Sequence, residues 1–177
     1  QAAAATFGWD PSVSGPRGDP NADVVTRRGL AYVTRLGTTI AVVAEVEVDR
    51  RSGKVRAKRF AVAHDCGCVV NPALLHATIE GNIVQATSRS LWEEVRFDRE
   101  KVTSVDWETY PILDITDAPE KIDIVLLNHP EIPPTGAGEP SSRPVAGALA
   151  NAIFDATGVR LRRAPFRPEQ VKCSLAT

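Results

Sequence analysis

Val42-Val43-Ala44-Glu45-Val46-Glu47-Val48-Asp49 alternates apolar and charged residues, and Arg50-Arg51-Ser52-Gly53-Lys54 then turns the chain back toward Val55-Arg56-Ala57-Lys58-Arg59-Phe60-Ala61-Val62. Period two, with Val42, Ala44, Val46 and Val48 on one side and the carboxylates on the other, describes a half-buried strand. Gly53 supplies a residue that tolerates positive φ in the turn. In the returning strand the apolar positions change parity between Ala57 and Phe60, which predicts a bulge near Lys58 or Arg59. Together these features predict a β-hairpin.

Downstream, the hairpin runs into His64-Asp65-Cys66-Gly67-Cys68-Val69-Val70-Asn71-Pro72. Pro72 suits the first turn of a helix and Asn71 its N-cap. Leu75, Ile79, Ile83 and Ala86 then recur at helical spacing, widened by Leu74, Val84, Leu91 and Val95, so a helix is predicted over 73–94. Gly81 weakens its middle by about 1 kcal/mol relative to Ala. Short strands are predicted over 94–97 and 103–107, and a cleaner one over 121–127, where Ile122, Ile124 and Leu126 face one way. A Pro- and Gly-rich stretch at 129–144 ends at a second helix. Ser142 is its candidate cap, Val145, Leu149, Ala152, Ile153 and Ala156 its apolar face, and Gly158 its stop. A short helix is expected over 168–175. Upstream, Pro11, Gly15, Pro16, Gly18, Pro20 and Gly29 punctuate residues 1–29, which read as an irregular leading segment or linker. The expected architecture is α+β: an antiparallel, hairpin-containing sheet packed against two main helices, with residues 30–177 as one folded unit.

The composition narrows the function. The chain has 177 residues, 43% hydrophobic and 24% charged, which disfavours disorder and coiled coil. Its net charge is −1, without the basic excess that nucleic-acid binding calls for. No apolar run is long enough to span a bilayer, and the first residues lack the features of a signal peptide. Cys66, Cys68 and Cys173 do not form a disulfide framework, so reduced thiols and a cytoplasmic rather than periplasmic setting are expected. A chain that starts at Gln1 and contains no methionine is expected to be a fragment or a processed product.

Several groups of residues could carry chemistry. In Gly136-Ala137-Gly138-Glu139-Pro140-Ser141-Ser142 the glycines let backbone approach a bound group closely, and Glu139 sits between that loop and a helix start. A carboxylate held there in a confined cavity could serve as a general base, although the helix dipole alone also favours an acid at this place. His64, Cys66 and Cys68, with His76 nearby, are metal-ligand types, but no second knuckle completes a zinc site, and a packed turn with buried thiols is the better reading. No metal bound by side chains is expected. A triad of Ser141 or Ser142 with Glu139 and His64 or His129 lacks the G-x-S-x-G elbow. Gln85 and Arg89, four apart on one helical face, could hold a polar ligand but are by default solvated. Trp92 and Trp107 read as packing residues.

In combination, His64-Asp65-Cys66-Gly67-Cys68-Val69-Val70-Asn71-Pro72, Ile79-Glu80-Gly81-Asn82-Ile83-Val84-Gln85 and Gly136-Ala137-Gly138-Glu139-Pro140 resemble the C-terminal part of the molybdopterin-binding large subunit of the xanthine oxidase family. The isoquinoline 1-oxidoreductase β-subunit group, also described as aldehyde dehydrogenase-like, looks nearest. The resemblance covers about residues 25–175. It implies hydroxylation of a small aromatic N-heterocycle or an aldehyde with water as the oxygen source, and a glutamate matching Glu139 as the base. It further implies a molybdenum–molybdopterin cofactor, as its cytosine dinucleotide, partly cradled by Gly136, Ala137 and Gly138. Electrons would leave to [2Fe-2S] clusters on an iron–sulfur small subunit. Thr78 stands where many members carry a cofactor-binding glutamine, and its hydroxyl has a shorter reach. Family large subunits are longer, so the expectation is a C-terminal subdomain that works with the remainder of the large subunit and is inactive alone. The competing expectation is a non-catalytic module that assembles such a complex.

Overall fold

A computed structural model of the chain describes residues 1–9 and 22–175. The expected hairpin is its centre. Strand β2 (Thr38–Asp49) pairs antiparallel with β3 (Val55–Asp65), and Gly53 takes φ +79° in the turn between them. The register slips so that Glu45 pairs with Arg59 and Val46 with Ala57, leaving Lys58 as the bulged residue. The bulge returns Phe60 and Val62 to the face that already carries Ala57, and all three are fully buried.

Two strands complete a sheet of order β1-β2-β3-β4. Strand β1 (Val24–Arg35) lies antiparallel to β2, which corrects the expectation that residues up to 29 are irregular. Its inward positions include Arg27 and Gly29, so the apolar alternation that would announce a strand is broken. Gly29 is required there because helix α3 (Val145–Thr157) lies directly on it: a Cβ would collide with Ala148 O and Ala152 N. A second correction concerns Ala2–Phe7, which forms the short helix α1 and lays Ala3 and Phe7 on the opposite face of the sheet, against Val43, Ala61 and Ala63. Pro11, Gly15, Pro16, Gly18 and Pro20 lie outside the described residues.

Strand β4 (Lys121–Leu127) runs parallel to β3, so the sheet is mixed rather than wholly antiparallel. A parallel neighbour needs a crossover, and helix α2 (Pro72–Leu91) lies within it. Asn71 caps α2 by accepting from Leu74 N–H at 3.0 Å. The helix buries Leu75, Ile79, Ile83 and Ala86 but leaves Leu74 and Val84 exposed, so the core stripe is narrower than the sequence suggests. Of its buried hydroxyls, Thr87 donates to Ile83 O and Ser90 to Ala86 O, while Ser88 Oγ accepts from Leu113 N–H. The sheet and α2 enclose the main core with α3, whose Val145, Ala148, Leu149, Ala152, Ile153 and Ala156 are fully buried. Helix α4 (Pro168–Leu175) adds Val171. The strands expected over 94–97 and 103–107 reduce to one bridge, Phe97 with Val102. Trp92 packs on the core, whereas Trp107 is 80% exposed and does not.

Candidate active site

At the C-terminal ends of the parallel pair β3 and β4, three segments converge. They are the turn after β3, the start of α2 and the loop that precedes α3. Backbone bonds tie them together: Cys68 N–H donates to Ile132 O, Thr135 N–H to Cys66 O, and His129 N–H to Gly67 O. Asn128 accepts from Val69 N–H at 2.9 Å. Between them lies a groove of about 270 Å³. Its walls include Cys66 and Cys68, the first turns of α2 from Asn71 to Thr78, and Thr135, Ala137 and Gly138. Thr78, Ala137 and Gly138, singled out in the sequence for separate reasons, therefore share one groove, whereas Gly136 and Glu139 flank its wall without lining it.

The loop is anchored from two directions. Thr38, buried in β2, donates from Oγ1 to Gly136 O at 2.7 Å and shares a 2.7 Å hydrogen bond with Thr135 Oγ1. Asn82 on α2 donates from Nδ2 to Gly138 O at 2.6 Å and to Ser141 Oγ at 2.9 Å. Pro140–Ser142 then form a single 3-10 turn with Glu139 at its cap position. Ser142 does not cap α3 as expected. Its hydroxyl instead donates to Glu139 O at 2.8 Å, and the extra turn places Pro144 at the start of the helix. Glu139 is exposed, and among the described residues no donor or cation reaches its carboxylate. Neither Thr38 nor Asn82 received a role from the sequence. The available signal was position, since Asn82 lies one helical turn beyond Thr78 on the same face.

The other candidates separate from this site. His64 is fully buried, between Ile40 of β2 and Leu126 of β4, with no hydrogen-bond partner for either nitrogen. Burial pushes its pKa down, only partly opposed by Asp65, and keeps the imidazole neutral. Burial likewise pushes the Cys66 thiol up, with Asp65 and Cys68 adding to the effect, so it behaves as a packed apolar group. His129 lies near Asp65 and Glu131, at 3.5 and 3.4 Å. His76 pairs with Glu80 on α2. Among the described residues no three His, Cys, Asp or Glu side chains converge as a metal-ligand set. Gln85 and Arg89 are exposed.

The groove has features that suit an anionic, phosphate-bearing group. Among the described residues, nothing accepts from the backbone N–H groups of Ala137 and Gly138 in its wall, of Val70 and Asn71 across it, or of Gly136 and Glu139 beside it. A Cβ at Gly136, Gly138 or Gly81 would meet nothing within 4 Å, so the fold itself does not need these glycines for space. Open space beside unpaired amide donors is what a cradle for a phosphate-bearing pterin requires. The start of α2 adds the positive end of its dipole.

Comparison with known proteins identifies the family of the chain. The chain belongs to the molybdopterin cofactor-binding domain family, whose model matches residues 15–119. It is 41% identical over 175 residues to a nicotinate dehydrogenase subunit from Pseudomonas putida, an alignment covering 94% of this chain and 15% of that protein. It is 30% identical over 140 residues to the β-subunit of isoquinoline 1-oxidoreductase from Brevundimonas diminuta, covering 79% and 18%. Among solved structures it superposes on aldehyde oxidoreductase from Desulfovibrio gigas with a TM-score of 0.71 at 30% identity, over 79% of this chain and 16% of that one. Quinoline 2-oxidoreductase from Pseudomonas putida 86 gives 0.72 at 28% identity, over 78% and 19%. The chain thus spans less than a fifth of the length of these relatives. Among the described residues no helix is long and apolar enough to cross a membrane.

Proposed function

We propose that this chain forms one wall of the cofactor site in a larger molybdenum hydroxylase, and that Glu139 is the base of the reaction. The observation that carries the reading is the loop at 136–139. Its carbonyls are tied down to β2 and α2, while its amide donors and the Glu139 carboxylate remain free beside the groove. Gly136, Ala137, Gly138 and Thr78 would hold the cofactor, the glycines by close approach and free N–H donors. Thr78 would act through its oxygen, because its proton is engaged by Leu74 O at 2.9 Å. The molybdenum–molybdopterin group, in its cytosine dinucleotide form, supplies two-electron redox chemistry when bound. The residues of this chain orient that group and keep one carboxylate ready to accept the proton released when water provides the oxygen.

The relatives carry names that refer to nicotinate, isoquinoline, quinoline and aldehydes, which supports an electron-poor N-heterocycle or an aldehyde as the substrate class. Three relatives are named as subunits, which supports a partnership with further protein. In this reading the partners are the remainder of the large subunit and an iron–sulfur small subunit whose [2Fe-2S] clusters carry the electrons away. The working location is the cytoplasm.

Glu139→Gln in the intact enzyme tests the reading. A lost general base lowers turnover by about 10²–10⁴-fold. Molybdenum content, measured by elemental analysis, stays at the wild-type level. Full turnover in the variant would refute the base role and favour the competing view of a non-catalytic assembly module.

A further inference from the structure

Resting on that assignment of Glu139, we infer that Asn82 is the positioning residue for the base. Its amide group reaches the residue before Glu139 and the second residue after it, donating to Gly138 O at 2.6 Å and to Ser141 Oγ at 2.9 Å. A carboxamide nitrogen carries two hydrogens, so one side chain serves both acceptors. Ser141 is fully buried and Asn82 sits on the 20-residue helix α2, so this end of the loop is tied to the core and to that helix. At the other end Thr38, 1% exposed, holds Gly136 O. Between these anchors the Glu139 carbonyl accepts from both Ser142 N–H, at 3.0 Å, and Ser142 Oγ, at 2.8 Å.

The backbone of Glu139 is therefore fixed on each side, and no described residue engages its carboxylate. That division suits a base, which must be held in place yet keep its oxygens free for the proton it accepts. An error of 1 Å in such placement costs about a hundredfold in rate. Asn82 does not itself touch the reacting atoms in this account. It acts through the loop. Aspartate, which has no hydrogens to donate, would set a negative charge against the Gly138 carbonyl.

The experiment uses the intact enzyme that contains this chain and compares Asn82→Ala and Asn82→Asp with wild type. Amide hydrogen exchange, molybdenum content, kcat and KM are read on each. For Asn82→Ala, exchange of the Ser142 and Arg143 amides, which donate to Glu139 O and Pro140 O, rises at least about tenfold while that of β2 is unchanged. Molybdenum content is retained, kcat falls at least about tenfold, and KM stays within about threefold. Asn82→Asp, which lacks both donated hydrogens, shows the same rise in exchange and fall in kcat. A purely structural anchor would not lower kcat selectively with KM and molybdenum content retained. If Asn82→Ala fails to accumulate, Asn82→Gln, which keeps both hydrogens one methylene further out, replaces it and shows the same changes at smaller amplitude. Unchanged exchange at Ser142 and Arg143 overturns the clamp, whatever Glu139 does. Raised exchange with wild-type kcat, in an enzyme that Glu139→Gln still disables, overturns the positioning role. A fully active Glu139→Gln instead overturns the base assignment and the positioning role with it, while the exchange data still report on the clamp.

Discussion

Gly29→Ala tests the contact that fixes α3, and with it the loop leading into that helix, against the sheet. The added methyl group would overlap Ala148 O and Ala152 N and stand 2.9 Å from Asn151 C, all backbone atoms of α3 that no rotamer change can move. Carbon atoms pack best at 3.5–4.0 Å, so the helix must lift by on the order of 1 Å. Overpacking of this kind costs about 1–3 kcal/mol, and an immovable backbone places it at the upper end. The lift also strains the 2.9 Å hydrogen bond from Asn151 Nδ2 to Leu30 O, adding about 1 kcal/mol. The sum, about 3–4 kcal/mol, corresponds to a fall of roughly 10 °C in the thermal midpoint of a domain this size. Circular dichroism melts at matched concentration measure it. A midpoint within about 2 °C of wild type would show that α3 does not rest on β1 at Gly29, and the account of the strand and the adjoining loop would fail with it.

Other substitutions probe separate links. His64 has a depressed pKa in the folded state, so its neutral form contributes stability that is complete above the unfolded value of about 6.5 and is lost as pH falls below it. Denaturant titrations should show up to about 1.4 kcal/mol of loss per pH unit below 6.5 from this group, and His64→Leu should remove that component; an unchanged pH profile would refute the buried neutral imidazole. Asn71→Ala removes the cap on Leu74 N–H and should cost about 1 kcal/mol, read from the urea midpoint. Gly81→Ala meets nothing within 4 Å in the middle of α2 and should stabilise the chain by about 0.8–1 kcal/mol. If that open face receives the cofactor, the same variant lowers molybdenum content in the intact enzyme, and undiminished content would mean that the group does not approach Gly81.

Local chemistry explains what could be read in advance. The hairpin, the bulge at Lys58, the Asn71 cap and the apolar face of α3 each depend on residues within one or two turns of one another. What escaped depends on distant segments. β1 was hidden because its inward positions hold Gly29, small to admit α3, and Arg27, neither of which looks like a core residue. The parallel direction of β4 follows from where the long crossover returns, and no pattern within seven residues encodes it.

The site divides along the same line. Gly136, Ala137, Gly138 and Glu139 are neighbours in the chain, so their identity as a candidate site and the family they indicate were available from the residues alone. Thr38 and Asn82, which reach that loop across 98 and 56 positions, became partners only when the sheet and α2 met. A motif states which groups are present; the packing of β2, α2 and α3 decides which of them are held and which stay free. Hydrogen bonds and burial act through space, and only the folded chain sets the distances on which they depend.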